Sequence, residues 1–243
     1  MTRVGIITQA RMTSTRLPGK VLLDAGGRTM LDHHIDRLLT TALPVVVATT
    51  SNATDDPIVA AADAREVTTF RGSESDVLGR FAGACRTAEL DAVVRVTSDC
   101  PLLDGELIAQ GVERYLQLGD RHAYVSNTVT RTYPRGFDFE VFSADALYEA
   151  DRMATYPADR EHVTPYLHQN RTGRTAVDQI ARTADASRFR VTLDTHDDLR
   201  LLRQLITRHD AHLLTCEQII RVLETNPALG ALNSHVQQKK LQD

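Results

Sequence analysis

Short apolar runs alternate with longer amphipathic stretches over the first half of the chain. The short runs are of strand length and rich in β-branched residues, whereas the longer stretches space their apolar residues three and four apart. The predicted strands are 3–8, 45–49, 67–70 and 92–97, and the predicted helices are 30–41, 56–64, 76–88 and 104–118. This alternation predicts an α/β protein with a parallel sheet covered by helices on both faces.

The pattern changes after residue 118, where strands and helices no longer alternate regularly. The predicted strands are 123–126, 138–142, 175–180 and 189–193, and the predicted helices are 144–153, 159–169, 195–208 and 215–224. Thr195, with Asp198 three residues later, has the spacing of a capping box. Because no repeat or linker interrupts the chain, we expect one domain over residues 1–243, with a mixed but mostly parallel sheet.

Composition and charge narrow the choice of partner and compartment. The chain has 243 residues, 42% of them apolar, and its 28 Lys and Arg against 32 Asp and Glu give a net charge of −4. This balance disfavours the basic surface that nucleic-acid binding needs. The apolar runs are too short to cross a membrane, and the first residues lack a signal-peptide pattern. Cys85, Cys100 and Cys216 form no C-x-x-C pair, so we expect a reducing cytoplasm.

A dense cluster of positive charge follows the first predicted strand. Residues 9–20 read Gln-Ala-Arg-Met-Thr-Ser-Thr-Arg-Leu-Pro-Gly-Lys and place Arg11, Arg16 and Lys20 in one loop. Ligands of parallel α/β sheets bind beyond the carboxyl ends of the strands, where loop N–H groups are exposed. The sequence therefore predicts a cradle for a polyphosphate here, and a loop of merely solvated charges is the alternative.

Several common motifs are absent from this loop and from the rest of the sequence. A P-loop would need Gly where Ser14 stands and Ser or Thr where Val21 stands. No G-x-G-x-x-G, H-E-x-x-H or G-x-S-x-G pattern occurs, which disfavours a dinucleotide fingerprint, a zinc protease site and a hydrolase elbow.

Two carboxylates follow predicted strands at positions that suit a metal ion. Asp99 comes just after strand 92–97, and Asp194 just after strand 189–193. Mg²⁺ binds through one or two carboxylates and completes its shell with water and substrate phosphates. As alternatives, Asp99 could stabilise a turn, and Asp194 could cap the following helix, although Thr195 could cap that helix alone.

The loop of residues 9–20 resembles the signature of the sugar-activating cytidylyltransferases. These include the acylneuraminate and keto-deoxy-octulosonate enzymes and, most closely, the spore-coat polysaccharide biosynthesis type. The resemblance covers nearly the whole chain, because further matching stretches follow in the family's order. They are 75–81 (SDVLGRF), 94–102 (VRVTSDCPL), 133–142 (YPRGFDFEVF), 160–166 (REHVTPY) and 190–195 (RVTLDT).

The resemblance implies a fold, an activity and a cofactor. The fold is that of the nucleotide-diphospho-sugar transferases (GT-A-like), with residues 1–118 binding the nucleotide and residues 119–243 binding the acceptor and adding C-terminal helices. The implied reaction is Mg²⁺-dependent transfer of CMP from CTP to a sugar acid or related small acceptor, with release of pyrophosphate, in glycan or specialised-metabolite biosynthesis.

The tail 233–237 could contact a second copy of the chain, as in a homodimer, or pack on its own body.

The resemblance also assigns roles to individual residues. It implies catalytic roles for Arg11, Lys20 and Asp99 and a magnesium pair of Asp99 and Asp194. The nucleotide-binding set is Ala10, Arg11, Ser14, Arg16, Lys20, Asp76, Arg80 and Ser98, and the acceptor-binding set is Arg135, Glu140, Glu161 and His162. Asp76 could instead be an ordinary helix cap, Arg80 could face solvent, and Glu161 and His162 could form surface pairs on their helix.

Other functions remain open on the sequence alone. A nucleotidyltransferase could use another nucleoside triphosphate with a sugar phosphate or phosphonate acceptor. A glycosyltransferase of this fold would usually carry a D-x-D metal motif, which Asp138-Phe139-Glu140 matches only loosely. A non-catalytic nucleotide-binding protein would be favoured by loss of the loop cations or Asp99, and all of these are present.

Overall fold

A computed structural model describes residues 2–238 of the chain. Its strands are β1 (Val4–Gln9), β2 (Asp24–Ala25), β3 (Arg28–Thr29), β4 (Val45–Thr50), β5 (Thr68–Gly72), β6 (Ala92–Thr97), β7 (Ala123–Ser126), β8 (Glu140–Ser143) and β9 (Ala176–Gln179). Its helices are α1 (Met30–Leu39), α2 (Asp56–Asp63), α3 (Val77–Thr87), α4 (Gly105–Leu118), α5 (Ala144–Met153), α6 (Pro157–His162), α7 (Pro165–His168), α8 (His196–His209), α9 (Cys216–Thr225) and α10 (Pro227–Ala231). None of the described helices is both long and apolar enough to cross a membrane.

Seven strands form one mixed sheet in the order β5-β4-β1-β6-β8-β7-β9, and β2 pairs with β3 in a small hairpin. The first four strands in this order are parallel, so their carboxyl ends meet at one edge. Strand β8 runs antiparallel between β6 and β7, and its register sets Glu140 opposite Arg95. The reversal thus brings an acidic side chain of the second half next to a basic one of the first.

The central strands are buried because helices cover both faces of the sheet. Consecutive residues of a strand point to opposite faces, so Ile6 and Val94 join one apolar cluster while Ile7 and Val93 join the other. The first cluster packs against α1, α4, α8 and α9, and the second against α3 and α5. Because both faces are packed, the sheet holds the loops at its carboxyl edge in fixed positions.

The alternating strands and helices predicted for residues 3–118 are confirmed, with ends that move by a residue or two. The capping box of α8 is also confirmed, because Thr195 Oγ1 accepts from Asp198 N while the Asp198 carboxylate accepts from Thr195 N. The small hairpin β2–β3 and the short helix α10 were not anticipated.

Two predicted elements of the second half were wrong in extent or kind, and a third is shifted. Residues 189–193 form no strand, because their backbone donors are divided between two segments: Val191 N donates to Arg135 O, and Leu193 N to Asp99 O. The predicted helix 159–169 is two short helices, interrupted at Val163, whose φ is 71°. Strand β8 begins only at Glu140, so the strand predicted over 138–142 starts two residues later than expected.

Candidate active site

A cavity of about 980 Å³ lies at the carboxyl edge of the parallel strands. Its wall combines the loop after β1, the loop after β6, the start of α3, helix α6, Asp194 and Gln238. The lining residues are Gln9, Ala10, Arg11, Thr13, Ser14, Thr15, Arg16, Lys20, Val21, Val77, Arg80, Thr97, Ser98, Asp99, Tyr156, Pro157, Ala158, Glu161, His162, Asp194 and Gln238. Segments far apart in sequence thus meet around one space.

The cation-rich loop after β1 is shaped around the backbone of Met12. The Met12 carbonyl accepts from Ser14 N at 2.9 Å and from Gly19 N at 3.0 Å, and Gly19 takes a left-handed φ of 65° to close the turn. Met12 N donates at 2.9 Å to the buried carboxylate of Asp55, which also accepts from the hydroxyls of Thr49 and Thr50. The loop is therefore held by the end of β4 before any ligand arrives.

Lys20 joins the two carboxylates that the sequence singled out. Its Nζ donates at 2.8 Å to Asp99 Oδ2 and at 2.8 Å to Asp194 Oδ1, and Arg16 Nη2 lies 3.0 Å from Asp194 Oδ2. Thr97 Oγ1 donates to Asp99 Oδ1 at 2.6 Å. Asp99 caps none of the described helices, and the capping box of α8 is made by Thr195 and Asp198, so the carboxylates of Asp99 and Asp194 belong to this cluster and not to a helix cap.

The cluster keeps its charges despite its burial. Burial opposes ionisation of Asp99, but the charge and hydrogen bond of Lys20 outweigh it and lower the pKa of Asp99 to about 2. The pKa of Asp194 is lowered too, because Lys20 and Arg16 outweigh burial and the nearby Asp99. Burial would lower the pKa of Lys20, yet the two carboxylates raise it. At neutral pH the site therefore holds two carboxylates and an ammonium.

A second layer of buried polar groups fixes Asp194. Arg190 Nη2 donates to Asp194 Oδ2 at 2.7 Å, and Arg190 Nε donates to Asp198 Oδ1 at 2.9 Å. Asn233 Nδ2 donates to that same Asp198 oxygen at 2.7 Å and to the Arg190 carbonyl at 3.1 Å. Arg190 Nη1 also donates to Gln238 at 2.7 Å. The tail 233–238 thus packs on its own body, directly behind the site.

Most of the residues predicted to bind nucleotide line this cavity. Ala10, Ser14, Arg16, Lys20, Arg80, Ser98 and Arg11 do so, together with the metal candidates Asp99 and Asp194. Arg11 is loosely paired, with Nη2 4.0 Å from Glu161 Oε1, and the Glu161 side chain is 60% exposed. Arg80 is buried, donates to Ser73 O at 2.9 Å, and has a pKa lowered to about 10 by burial and the charge of Arg11.

A second cavity of about 520 Å³ lies beside the first and centres on Glu140. Its lining residues are Arg95, Tyr124, Thr128, Val129, Glu140, His162, Thr164, Pro165, His168 and Val177. Glu140 pairs with Arg95 and accepts from the hydroxyls of Tyr124 and Thr164. Burial opposes its ionisation, but Arg95 and these donors lower the pKa of Glu140. The floor of this cavity is therefore a neutralised ion pair surrounded by hydroxyl and imidazole groups.

Three side chains considered from sequence lie outside both cavities. Asp76 caps α3 through Gly79 N at 2.9 Å and pairs with Arg160 at 2.5 Å, so its carboxylate is engaged. Arg135 lines neither cavity, and its backbone bridges that of Arg190. Asp138 is held by both Nη atoms of Arg131, at 2.6 and 2.7 Å, and does not accompany Glu140 into the second cavity.

Sequence reasoning missed the groups that hold the site rather than line it. Asp198 was interpreted as a helix cap, which it is, and this assignment concealed its second bond to Arg190. The bond of Asp55 to Met12 and the bonds of Asn233 carried no local signal, because these partners lie far away in sequence. Arg190 stands four residues before Asp194, and the two side chains form an ion pair. This spacing predicts a pair in a helix, but the segment is not helical, so the sequence alone did not indicate it.

The family can be decided from a match that spans the fold and the site. A family model described as cytidylyltransferase matches residues 5–230. The chain belongs to the cytidylyltransferase family. Members of this family are nucleotidyltransferases, and the seven-stranded mixed sheet is the nucleotide-diphospho-sugar transferase fold that the sequence predicted.

Individual cytidylyltransferase relatives agree with this assignment. The spore coat polysaccharide biosynthesis protein SpsF of Bacillus subtilis is 30% identical over 236 residues, 93% of this chain and 96% of that protein. A cytidylyltransferase structure from Leptospira borgpetersenii superimposes with a TM-score of 0.91 at 33% identity, over 99% of this chain and 100% of that chain. CMP:2-keto-3-deoxy-manno-octonic acid synthetase complexed with CTP shares the fold, with a TM-score of 0.63 at 19% identity over 86% and 100%.

Proposed function

We propose that this protein transfers CMP from CTP to a hydroxyl group of a small sugar-like acceptor and releases pyrophosphate. The observation that carries the proposal is the convergence of Arg16 and Lys20 with Asp99 and Asp194 at the edge of the parallel strands. A triphosphate and a cation are the two charges that such a set can bind together. Membership of the cytidylyltransferase family supports CTP as the donor.

The donor set at this edge fits Mg²⁺. Asp99 and Asp194 present oxygens close enough to share the Lys20 ammonium, which supports their assignment as joint ligands of one cation. Two carboxylates with no third acidic or imidazole partner in residues 2–238 match the preference of Mg²⁺ for few protein ligands plus phosphate and water. When bound, the ion would withdraw charge from the α-phosphate and steady the leaving pyrophosphate.

The chain's own residues orient the triphosphate. Arg16 and Lys20 are assigned to the β- and γ-phosphates, and Arg11, whose Glu161 contact is long, to the α-phosphate. Phosphoryl-type transfer depends on positioning and on stabilising charge more than on covalent chemistry. Ala10, Ser14 and Ser98 close the same wall, and Arg80 lies with them at the start of α3.

The second cavity is the proposed acceptor site. Residues 1–118 would then supply most of the nucleotide wall, and residues 119–238 most of the acceptor wall, with Glu140 and His162 among the contacts. Its hydroxyl, imidazole and carboxylate groups suit a polyhydroxylated acceptor such as a sugar acid. The Bacillus relative supports glycan assembly as the setting.

The test is pyrophosphate release with each of the four ribonucleoside triphosphates, Mg²⁺ and a panel of sugar acids, sugar phosphates, phosphonates and neutral sugars. We expect release with CTP only. Lys20→Ala should keep the native circular dichroism spectrum and lose about 10²- to 10³-fold in rate, by analogy with removing one charge-stabilising donor. A Lys20→Ala protein as active as the wild type, or a wild type that takes up no CTP in the presence of Mg²⁺, would overturn the proposal.

A further inference from the structure

The segment between α6 and α7 is a strained turn at the junction of the two cavities. Thr164 N donates to His162 O at 2.8 Å across Val163, whose φ of 71° and ψ of −53° are those of a γ-turn with positive φ. This conformation is rare, and it is costly for a β-branched residue. Val163 is fully buried and Pro165 opens α7, so the surroundings hold the turn in place.

The strained turn places two side chains in the site. The Thr164 hydroxyl donates to Glu140 Oε1 at 2.6 Å, on the floor of the second cavity. The neighbouring His162 is shared by the two cavity walls, and among residues 2–238 no other lining residue is common to both. Strained backbone persists where surrounding structure enforces it and is concentrated at functional sites. The turn therefore sets an imidazole between the proposed triphosphate site and the proposed acceptor site.

Each of the other acidic and imidazole groups in the two walls is bonded to a partner, is largely exposed, or lines only one of the cavities. Asp99 and Asp194 share Lys20, and Glu140 receives three donors. Glu161 lines the first cavity, but its side chain is 60% exposed and lies 4.0 Å from Arg11, and His168 lines only the second cavity. Within residues 2–238 the ring of His162 makes no hydrogen bond, so one of its nitrogens has a free lone pair.

Resting on the proposed function, we propose that His162 is the proton acceptor for the attacking hydroxyl group. The acceptor oxygen forms a bond to the α-phosphorus, the bond from that phosphorus to the bridging oxygen of pyrophosphate breaks, and the hydroxyl proton passes to the His162 ring. Pyrophosphate leaves with the bonding electrons, and the imidazolium returns its proton to water. The step needs no oxidant, reductant or further co-reactant.

The electrostatic surroundings keep this imidazole ready to accept a proton. Burial lowers the pKa of His162, Glu161 on the same helix raises it, and the Arg95 guanidinium on β6 lowers it, with a net decrease. The ring is therefore neutral at pH 7 in the free protein. A bound α-phosphate beside it would favour the protonated form and raise its basicity when the nucleotide is present.

The experiment compares pH profiles of kcat for the wild type, His162→Gln and His168→Gln, with CTP and Mg²⁺. The acceptor is the compound of the panel above that reacts fastest. If no compound of the panel reacts, the acceptor is water and the measured product is radiolabelled CMP. The wild-type rate should rise with pH through a single ionisation and then level off. We expect His162→Gln to lose about 10²- to 10⁴-fold in kcat and to lose that ionisation, whereas His168→Gln keeps it. Added imidazole should partly restore His162→Ala.

Two controls separate this inference from the proposed function. Calorimetric uptake of CTP with Mg²⁺ should be within about threefold of the wild type in His162→Gln, because the ring is assigned to the proton and not to the phosphates. If the ionisation persists in His162→Gln, or imidazole fails to restore His162→Ala, His162 is not the proton acceptor even though CTP binds and reacts. If the wild type does not take up CTP at all, the proposed function fails first.

Discussion

At the scale of single residues, Lys20 is the point where the site's charges meet. Its ammonium lies 2.8 Å from an oxygen of each aspartate, and its side chain is only 14% exposed. In the absence of nucleotide it therefore occupies the position between two carboxylates that a divalent ion would share. If Asp99 and Asp194 bind the ion as proposed, Lys20 and the ion would compete for the same two oxygens until phosphates offer Lys20 another partner.

This competition gives a prediction that differs from simple loss of function. Lys20→Met should bind Mn²⁺ about tenfold more tightly than the wild type without nucleotide, because the competing ammonium is removed while both carboxylates remain, with Asp194 still paired to Arg16 and Arg190. Electron paramagnetic resonance titration measures the free ion directly. Arg11→Met is the matched control and should bind Mn²⁺ as the wild type does, since Arg11 contacts neither aspartate. Equal or weaker Mn²⁺ binding by Lys20→Met would contradict the competition.

The residues of the cation-rich loop could be predicted because they are close together in sequence and follow a strand. Asp99 and Asp194 could be predicted from their places after apolar runs. Arg190, Asp198 and Asn233 could not, because each becomes meaningful through a partner that folding brings near. The local sequence therefore identifies the side chains that line the cavity. The residues that position those side chains can be identified only from the tertiary structure.

At the scale of elements, α1 is tied to the site by a buried histidine. The Cys100 carbonyl can only accept, so His34 Nδ1 donates to it at 2.9 Å, and His34 Nε2 accepts from Thr8 Oγ1 at 2.8 Å. These bonds join α1 to β1 and to the loop that carries Asp99. Burial lowers the pKa of His34 from its ordinary 6.5 to about 4.

The sign of the resulting pH dependence follows from proton uptake. Between pH 6.5 and 4 the unfolded chain binds a proton at His34 and the folded chain does not, so stability is full above this window and falls as pH decreases through it. The loss should be about 2 kcal/mol between pH 7 and pH 5. Urea unfolding at several pH values should show a flatter dependence for His34→Gln, whereas His196→Gln, at an exposed position, should retain the wild-type slope. An unchanged slope in His34→Gln would refute this account.

In two segments the hydrophobic periodicity predicts the wrong secondary structure. The apolar pattern of 189–193 does predict burial, but a strand also needs one neighbour along its whole length, and here the backbone bonds are divided between Arg135 and Asp99. The helical pattern of 159–169 continues across Val163, where burial and the Thr164 bond to Glu140 enforce a turn that periodicity does not reveal. Tertiary contacts override local preference in both segments.

At the scale of the whole molecule, residues near 233 support a cavity whose lining comes mainly from residues 9–99. Asn233 is buried and donates to both Asp198 and the Arg190 carbonyl, so the tail steadies the guanidinium that holds Asp194. Removing its amide leaves two buried acceptors with fewer donors. The stability of the fold and the position of Asp194, one of the two proposed metal ligands, are thereby linked over most of the sequence.

Asn233→Ala tests that link. We expect the free energy of unfolding to fall by about 2 kcal/mol, the usual cost of unsatisfied buried partners, and the Kd for Mn²⁺ to rise several-fold. Denaturant unfolding and Mn²⁺ titration measure the two effects. Ser234→Ala, on an exposed neighbour, should change neither. A destabilised Asn233→Ala protein with unaltered Mn²⁺ binding would mean that the tail supports the fold but not Asp194.

In the part of the chain that the structure describes, the two adjoining cavities have only His162 in common, and this arrangement has a consequence for diversification. Val129 and Val177 stand at the outer rim of the second cavity, 50% and 40% exposed, and touch no part of the first. Replacing them would change the size and polarity of the entrance while leaving the wall around Lys20 and Asp99 untouched. If the second cavity holds the acceptor as proposed, descendants of one ancestral sequence would exchange one acceptor for another by altering a few rim positions, without changing the proposed nucleotide site.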